Sequence, residues 1–154
     1  MSLNLFTFII FYFFLINCTI GYGYLAAKVF KIDYKFFNQS FLGLIGIFTL
    51  LLISYSSHYF IKHNFFHNFI ILLIGIISFS YFFFKEKKKE IFKINFFFLL
   101  LFISFIIFKS HDDFSYYHFP YTYYITQSKI IFGIGNFNHG FRTPSSLFYL
   151  NSLF

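Results

Sequence analysis

The sequence predicts an all-α fold, a polytopic transmembrane helix bundle, and three observations carry that prediction. Of 154 residues, 58% are hydrophobic and only 11% are charged. The apolar residues fall in long uncharged runs, not in the broken periodic patterns of soluble domains. Most lysines sit in short clusters between those runs. Phe is abundant at 32 residues and Trp is absent. Phe, Ile, Asn, Lys and Tyr share AT-rich codons, so the aromatic excess is not read as a stacking or belt signal.

Leu3 to Ala27 is uncharged and long enough to span. It lacks a positive leading region and exceeds a signal-peptide core, so it reads as a retained helix. Lys28, Lys31, Asp33 and Lys35 form the first loop. Phe36 to Ile61 is the second uncharged run, with a polar exit at Ser54 to His58. A short turn follows at Lys62, His63 and Asn64. Phe65 to Phe84 is the third span. The run from Lys85 to Glu90 is the densest charge cluster and reads as a solvated loop. Ile94 to Phe108 is the fourth span, about 22 Å at helical rise. Lys93 and Lys109 snorkel from its ends, and Ile91 and Phe92 lengthen it.

The positive-inside rule orients the set. The first loop and the third, with its flank to Lys93, are lysine-rich, whereas the second carries only Lys62. The basic loops share a side, and that side is expected to be cytoplasmic. The N-terminus and everything after Phe108 then lie outside. A net charge of +7 is accordingly read as topology and contact with membrane lipids, not nucleic acid.

The character changes beyond Phe108. Tyr121 to Phe132 is expected to be an amphipathic interfacial helix, with Pro120 at its start. Its faces would be Tyr121, Tyr124, Ile125, Ser128 and Phe132 against Thr122, Thr126 and Lys129. Gly133 to Gly140 reads as a loop. Thr143 and Pro144 read as an N-cap and first helical position. The expected organisation is a four-helix transmembrane region over 1–109, an external loop with a short amphipathic helix over 110–144, and the start of a truncated fifth helix over 145–154.

The chemistry-bearing stretch is His111-Asp112-Asp113-Phe114-Ser115-Tyr116-Tyr117-His118. The chain has five acidic residues, and two are adjacent here. A carboxylate at the water-facing end of a bundle can serve as general base toward a hydroxyl. An extended backbone would aim Asp112 and Asp113 to opposite sides. His111 and His118 are weak metal-ligand candidates, since this set does not fix a metal. Lys129 and Arg142 are candidate phosphate contacts, Arg by its bidentate fork. An ordinary polar interfacial loop is the competing reading. His58, His63 and His67 lack acidic partners nearby in sequence and read as interfacial polar residues.

A hydrophobic span followed by Asp-Asp-Phe-Ser-Tyr-Tyr at 112–117 and an interfacial helix resembles the first external loop of GT-C membrane glycosyltransferases. His111 to Phe154 is also similar to uncharacterised bacterial glycosyltransferase-like membrane proteins. The resemblance implies the N-terminal part of a multi-pass enzyme of a bacterial cytoplasmic (inner) membrane. That enzyme would move a sugar from a polyprenyl-phosphate carrier to an acceptor on the non-cytoplasmic face. It implies Asp112 as the base and Asp113 as the assisting or metal-binding residue. Substrate contacts would come from Arg142, Lys129, Tyr116 and Tyr117, and a divalent cation is compatible. The loop here follows the fourth span, whereas in that family it follows the first. The alternative is a non-enzymatic membrane scaffold or assembly subunit. A transporter would carry charge within its spans, and these runs carry none.

Overall fold

The computed structural model describes residues 4–85, 88–107, 112–143 and 145–154. Every regular element among them is helical. The chain divides into two compact units, Met1–Thr49 with Leu72–Phe108 and Leu50–Ile71 with Lys109–Phe154.

Four long helices come first: α1 (Leu5–Val29), α2 (Gln39–His58), α3 (Phe65–Lys85) and α4 (Lys88–Ile107). Of these α1, α2 and α3 are long and apolar enough to cross a membrane. Asparagine starts three of them. Asn4 Oδ1 accepts from the Phe6 N–H, Asn38 Oδ1 from Phe41 and Asn64 Oδ1 from His67, which satisfies N–H groups that a helix start leaves unpaired. The C-terminus of α1 closes by a Schellman arrangement. Ile32 N–H donates to the Ala27 carbonyl and Lys31 N–H to that of Lys28. Lys31 takes the left-handed position at φ 56°, which glycine usually fills.

Within the first unit, packing centres on α1. Lipid and leucine are equally apolar, so helices there associate by close approach and internal hydrogen bonds. A Cβ on Gly21 would lie 2.0 Å from the Gly75 carbonyl oxygen, and one on Gly46 1.7 Å from that of Thr19. Only glycine permits this approach of α1 to α3 and to α2. Tyr24 stacks on Phe82 with centroids 4.7 Å apart, in a cluster with Ile20, Ala27 and Leu42. A reciprocal amide pair ties α1 to α4. Asn17 Nδ2 donates to Asn95 Oδ1 at 3.1 Å and Asn95 Nδ2 to Asn17 Oδ1 at 3.2 Å. Each amide also donates to a carbonyl one turn back in its own helix, Phe13 and Ile91.

Several expectations change in detail. α4 begins at Lys88 rather than Ile94, because its lysine-rich first turn is helical. Its expected end at Phe108 and Lys109 lies outside the described residues. The segment after Asp113 is a π-helical turn, Phe114–His118, followed by α5 (Phe119–Gln127). Pro120 has no N–H and its ring crowds the carbonyl four residues back. The wider register is visible in the Phe119 N–H, which donates to the Phe114 carbonyl. α5 stops before Ser128, which is extended at φ −140° and ψ 154°, so Phe132 lies outside the helix and is exposed. Ser128 of the expected face likewise lies beyond the helix, while Tyr121 and Ile125 are buried. The short helix α6 (Ser146–Asn151) is capped by Ser145, whose hydroxyl accepts from the Leu147 N–H. The cap is therefore Ser145 and not Thr143, and Pro144 lies outside the described residues.

The Asn17–Asn95 pair gives a direct test. Asn17→Leu strands the Asn95 amide and is expected to cost roughly 1–2 kcal/mol. Adding Asn95→Leu should recover part of that loss, read by thermal unfolding in detergent. A single variant as stable as the wild type would remove the pair from the packing account.

Candidate functional site

The second unit brings the polar exit of α2, the loop to α3, and residues 112–154 into one framework. His58 and His63 are each 1% exposed. His63 bridges two hydroxyls, with Nε2 3.1 Å from Ser57 Oγ and Nδ1 2.7 Å from Ser152 Oγ. Both hydroxyls also donate to backbone carbonyls, Ser152 Oγ to that of Tyr149 and Ser57 Oγ to that of Ser54. Burial, reinforced by His67 and His58, depresses the His63 imidazole to about 4, so it is neutral at physiological pH.

The end of α2, the loop after it and the first turn of α3 are stitched to α5 and α6 at other points. Ser54 Oγ donates to the Tyr149 carbonyl at 2.7 Å. Asn68 Nδ2 donates to the Ser152 carbonyl at 2.7 Å. The His63 N–H donates to the Ile125 carbonyl, and the Ile130 N–H to that of His58. His58 Nε2 donates to the Ser128 carbonyl at 2.9 Å, which holds the chain where α5 ends. Aromatic packing completes the unit. Tyr121, Ile125, Phe148 and Tyr149 form its core, and Tyr55 stacks on Tyr149 with centroids 4.0 Å apart. Burial pushes the Tyr121 and Tyr149 phenols upward, so both stay neutral.

A cavity of about 420 Å³ opens beside this core. Its wall includes Tyr117, His118, Thr122, His139, Ser145 and Asn151. His118 rests against Phe148 at 5.2 Å between centroids. Gly140 lets the backbone reach the Tyr117 ring, since a Cβ there would lie 2.6 Å from Tyr117 Cβ. The lining offers imidazole, hydroxyl, amide and aromatic groups, a set that can hydrogen-bond a polyhydroxylated ligand and stack on its apolar face.

The predicted site residues divide between this cavity and its surroundings. Tyr117 and His118 line it, but among the described residues Asp112, Asp113, Tyr116, Lys129 and Arg142 do not. Asp112 is exposed in a turn, and Asp113 is half-buried at the start of the π-helical turn. Asp113 has φ −70° and ψ −12°, a helical conformation, so the pair is not extended. Tyr116 is exposed. Lys129 is exposed in a bend, where its carbonyl accepts from the Tyr124 hydroxyl at 3.1 Å. Arg142 is exposed, with Nε donating to the Gly135 carbonyl at 3.3 Å. His111 lies outside the described residues. Among those described, no cluster of three His, Cys, Asp or Glu side chains is placed to hold a metal.

Sequence reasoning did not find the His63 bridge or the cavity residues His139, Thr122, Ser145 and Asn151. The fold and packing define the class, an all-helical protein with membrane-length apolar helices. No family model, curated protein or solved structure matches the chain.

The depressed His63 imidazole makes the second unit's stability pH-dependent. Its unfolded pKa is about 6.5 and its folded value about 4. The unfolded state therefore binds the proton first as pH falls. The stabilisation is complete above about pH 6.5 and declines by about 1.4 kcal/mol per pH unit below it. The decline levels off below pH 4. Hydrogen exchange at residues 121–125 and 146–152 between pH 4 and 8 should follow that curve, and His63→Asn should flatten it. An equal slope in the variant would assign the titration to another group.

Proposed function

We propose that this chain forms the external acidic site of an integral membrane glycosyltransferase. In this reading the enzyme moves a sugar from a polyprenyl-phosphate carrier to an acceptor hydroxyl on the non-cytoplasmic face of a bacterial inner membrane. α4 serves as a fourth span, a role supported by its amide pair with α1 and by Tyr12, whose hydroxyl donates to the Phe98 carbonyl at 3.0 Å. The lysine-rich loops face the cytoplasm and the N-terminus faces outward.

One observation carries the reading. The acidic pair leads directly into the π-helical turn whose Tyr117 and His118 line a polar and aromatic cavity of sugar-binding character. π-helical turns concentrate at functional sites. The chemistry would be an in-line displacement at the anomeric carbon. Asp112 takes the acceptor proton as the hydroxyl oxygen bonds to that carbon, and the carbon–oxygen bond to the lipid phosphate breaks. Arg142 or Lys129 offsets charge on the departing phosphate.

Asp112→Asn in the intact protein, reconstituted with a polyprenyl-phosphate sugar and an external acceptor, should lower transfer by ~100-fold or more with insertion unchanged. Full transfer in that variant removes Asp112 from the mechanism. A cysteine at position 112 should react with an impermeant reagent from outside only, and labelling solely from the cytosol would overturn the topology. No transfer by the wild-type protein would favour the scaffold reading.

A further inference from the structure

The apolar side of α5 is not free to meet lipid. Tyr121 and Ile125 pack with Phe148 and Tyr149 in the core of the second unit, whereas a helix lying in a membrane surface needs that side for the acyl chains. Apolar exposure lies instead on the irregular chain beside it. Tyr59, Phe60 and Ile61 follow α2, and Ile131 and Phe132 follow α5. All five are exposed, Phe60 at 78% and Phe132 at 84%.

Backbone hydrogen bonds fix these two stretches side by side. The Ile130 N–H donates to the His58 carbonyl and the His63 N–H to the Ile125 carbonyl, both at 3.1 Å. His58 Nε2 holds the Ser128 carbonyl as well. Phe60 and Phe132 are each two residues from the bond between Ile130 and His58, so each lies within about 7 Å of backbone from it. Their level in a membrane follows from the helices they adjoin. His58 ends α2 and Phe65 begins α3, and both helices are long and apolar enough to cross. With α2 and α3 crossing a bilayer, their connection lies at its surface, and so does the 130–132 stretch bonded to it.

Charge selects what covers this patch. Lys62 and Lys129 are exposed in the same two stretches, and residues 58–66 and 127–134 contain no acidic side chain. Exposed aromatic and aliphatic side chains flanked by lysines suit the boundary between phosphate headgroups and acyl chains. A second copy of this chain, paired through the same patch, would set the lysines against their own counterparts.

We propose that residues 59–62 and 129–132 form one membrane-surface anchor, in which Phe60 and Phe132 enter the acyl region of the adjoining leaflet while Lys62 and Lys129 meet its lipid phosphates. The anchor holds the second unit against the bilayer. It requires α2 and α3 to cross the membrane and does not depend on the glycosyltransferase reading.

The chain has no tryptophan, so Phe60→Trp and Phe132→Trp each install a sole indole. Each intact variant is reconstituted in vesicles of phosphatidylcholine and phosphatidylglycerol whose acyl chains carry bromine at shallow or deep positions, with iodide on both sides. Both indoles should be quenched most by the shallow bromines, at a depth of about 5–10 Å into the boundary, and be shielded from iodide. Phe48→Trp, at an exposed position midway along α2, supplies the deep reference. Iodide quenching of either indole to the extent of free tryptophan would overturn the proposal. So would insensitivity to both bromine and iodide, the mark of a protein neighbour, or a depth equal to that of Phe48→Trp. Lys62→Glu with Lys129→Glu, added to Phe132→Trp, should exchange bromine quenching for iodide quenching, and an unchanged depth would overturn the lysine contacts. The wild-type protein checks the placement without substitution. A phospholipid photoreactive next to its glycerol should label residues 59–62 and 129–132, and no label there would overturn the anchor.

Discussion

A polar atom that leaves water must find a partner inside the protein, and this constraint accounts for much of how the chain is organised. Where one helix can supply the partner, it does so locally. Thr19 and Thr49 hydroxyls donate to carbonyls of their own helices, Ile16 and Ile45. Larger polar side chains need a second element. Asn17 finds Asn95, and His63 finds Ser57 and Ser152. Each such pairing fixes which helices touch and in what register. Apolar contact alone discriminates poorly when lipid is an equally good neighbour.

The two units meet that constraint differently. In the first, glycines bring backbones close enough for dispersion contacts to accumulate around α1, and the amide pair sets register against α4. In the second, short irregular segments dominate, and irregular backbone leaves many carbonyls and N–H groups unpaired by helix geometry. The end of α2, the loop after it and the first turn of α3 supply partners for them. His63 and Asn68 hold the end of α6, and Ser54 holds its middle. Phe148 belongs both to this core and to the cavity wall. The histidine bridge therefore acts on the cavity's shape without touching a ligand there, and its loss would loosen the wall through α6.

The long helices were legible because their signal is local. Uncharged runs, lysine loops and capping asparagines can each be read within a few residues. The buried face of α5 was equally legible from Tyr121 and Ile125, one turn apart. Its length was not, because Ser128 leaves the helix where His58, 70 residues earlier, binds its carbonyl. The His63 bridge escapes a local reading for the same reason: no acidic residue lies near it in sequence, and its partner Ser152 lies 89 residues away. The π-helical turn had a signal in Pro120, but proline at a helix start ordinarily sits in the first turn without altering the register before it.

The cavity and the acidic pair set a condition on any chemistry here. A general base must lie about 2.6–3.2 Å from the proton it takes. A hydroxyl seated deep in the cavity would meet His118, His139 or the Thr122 hydroxyl, all of which line it. A hydroxyl held at the surface beside the π-helical turn would meet Asp112 instead. In the second arrangement the cavity grips the part of the ligand away from the reacting centre, and the turn presents the carboxylate to that centre. Remote binding of this kind lowers a barrier by orienting the reacting groups. On this view the cavity provides recognition and the doublet provides proton transfer. In the proposed reaction the π-helical turn, whose Tyr117 and His118 line the cavity, would join the two.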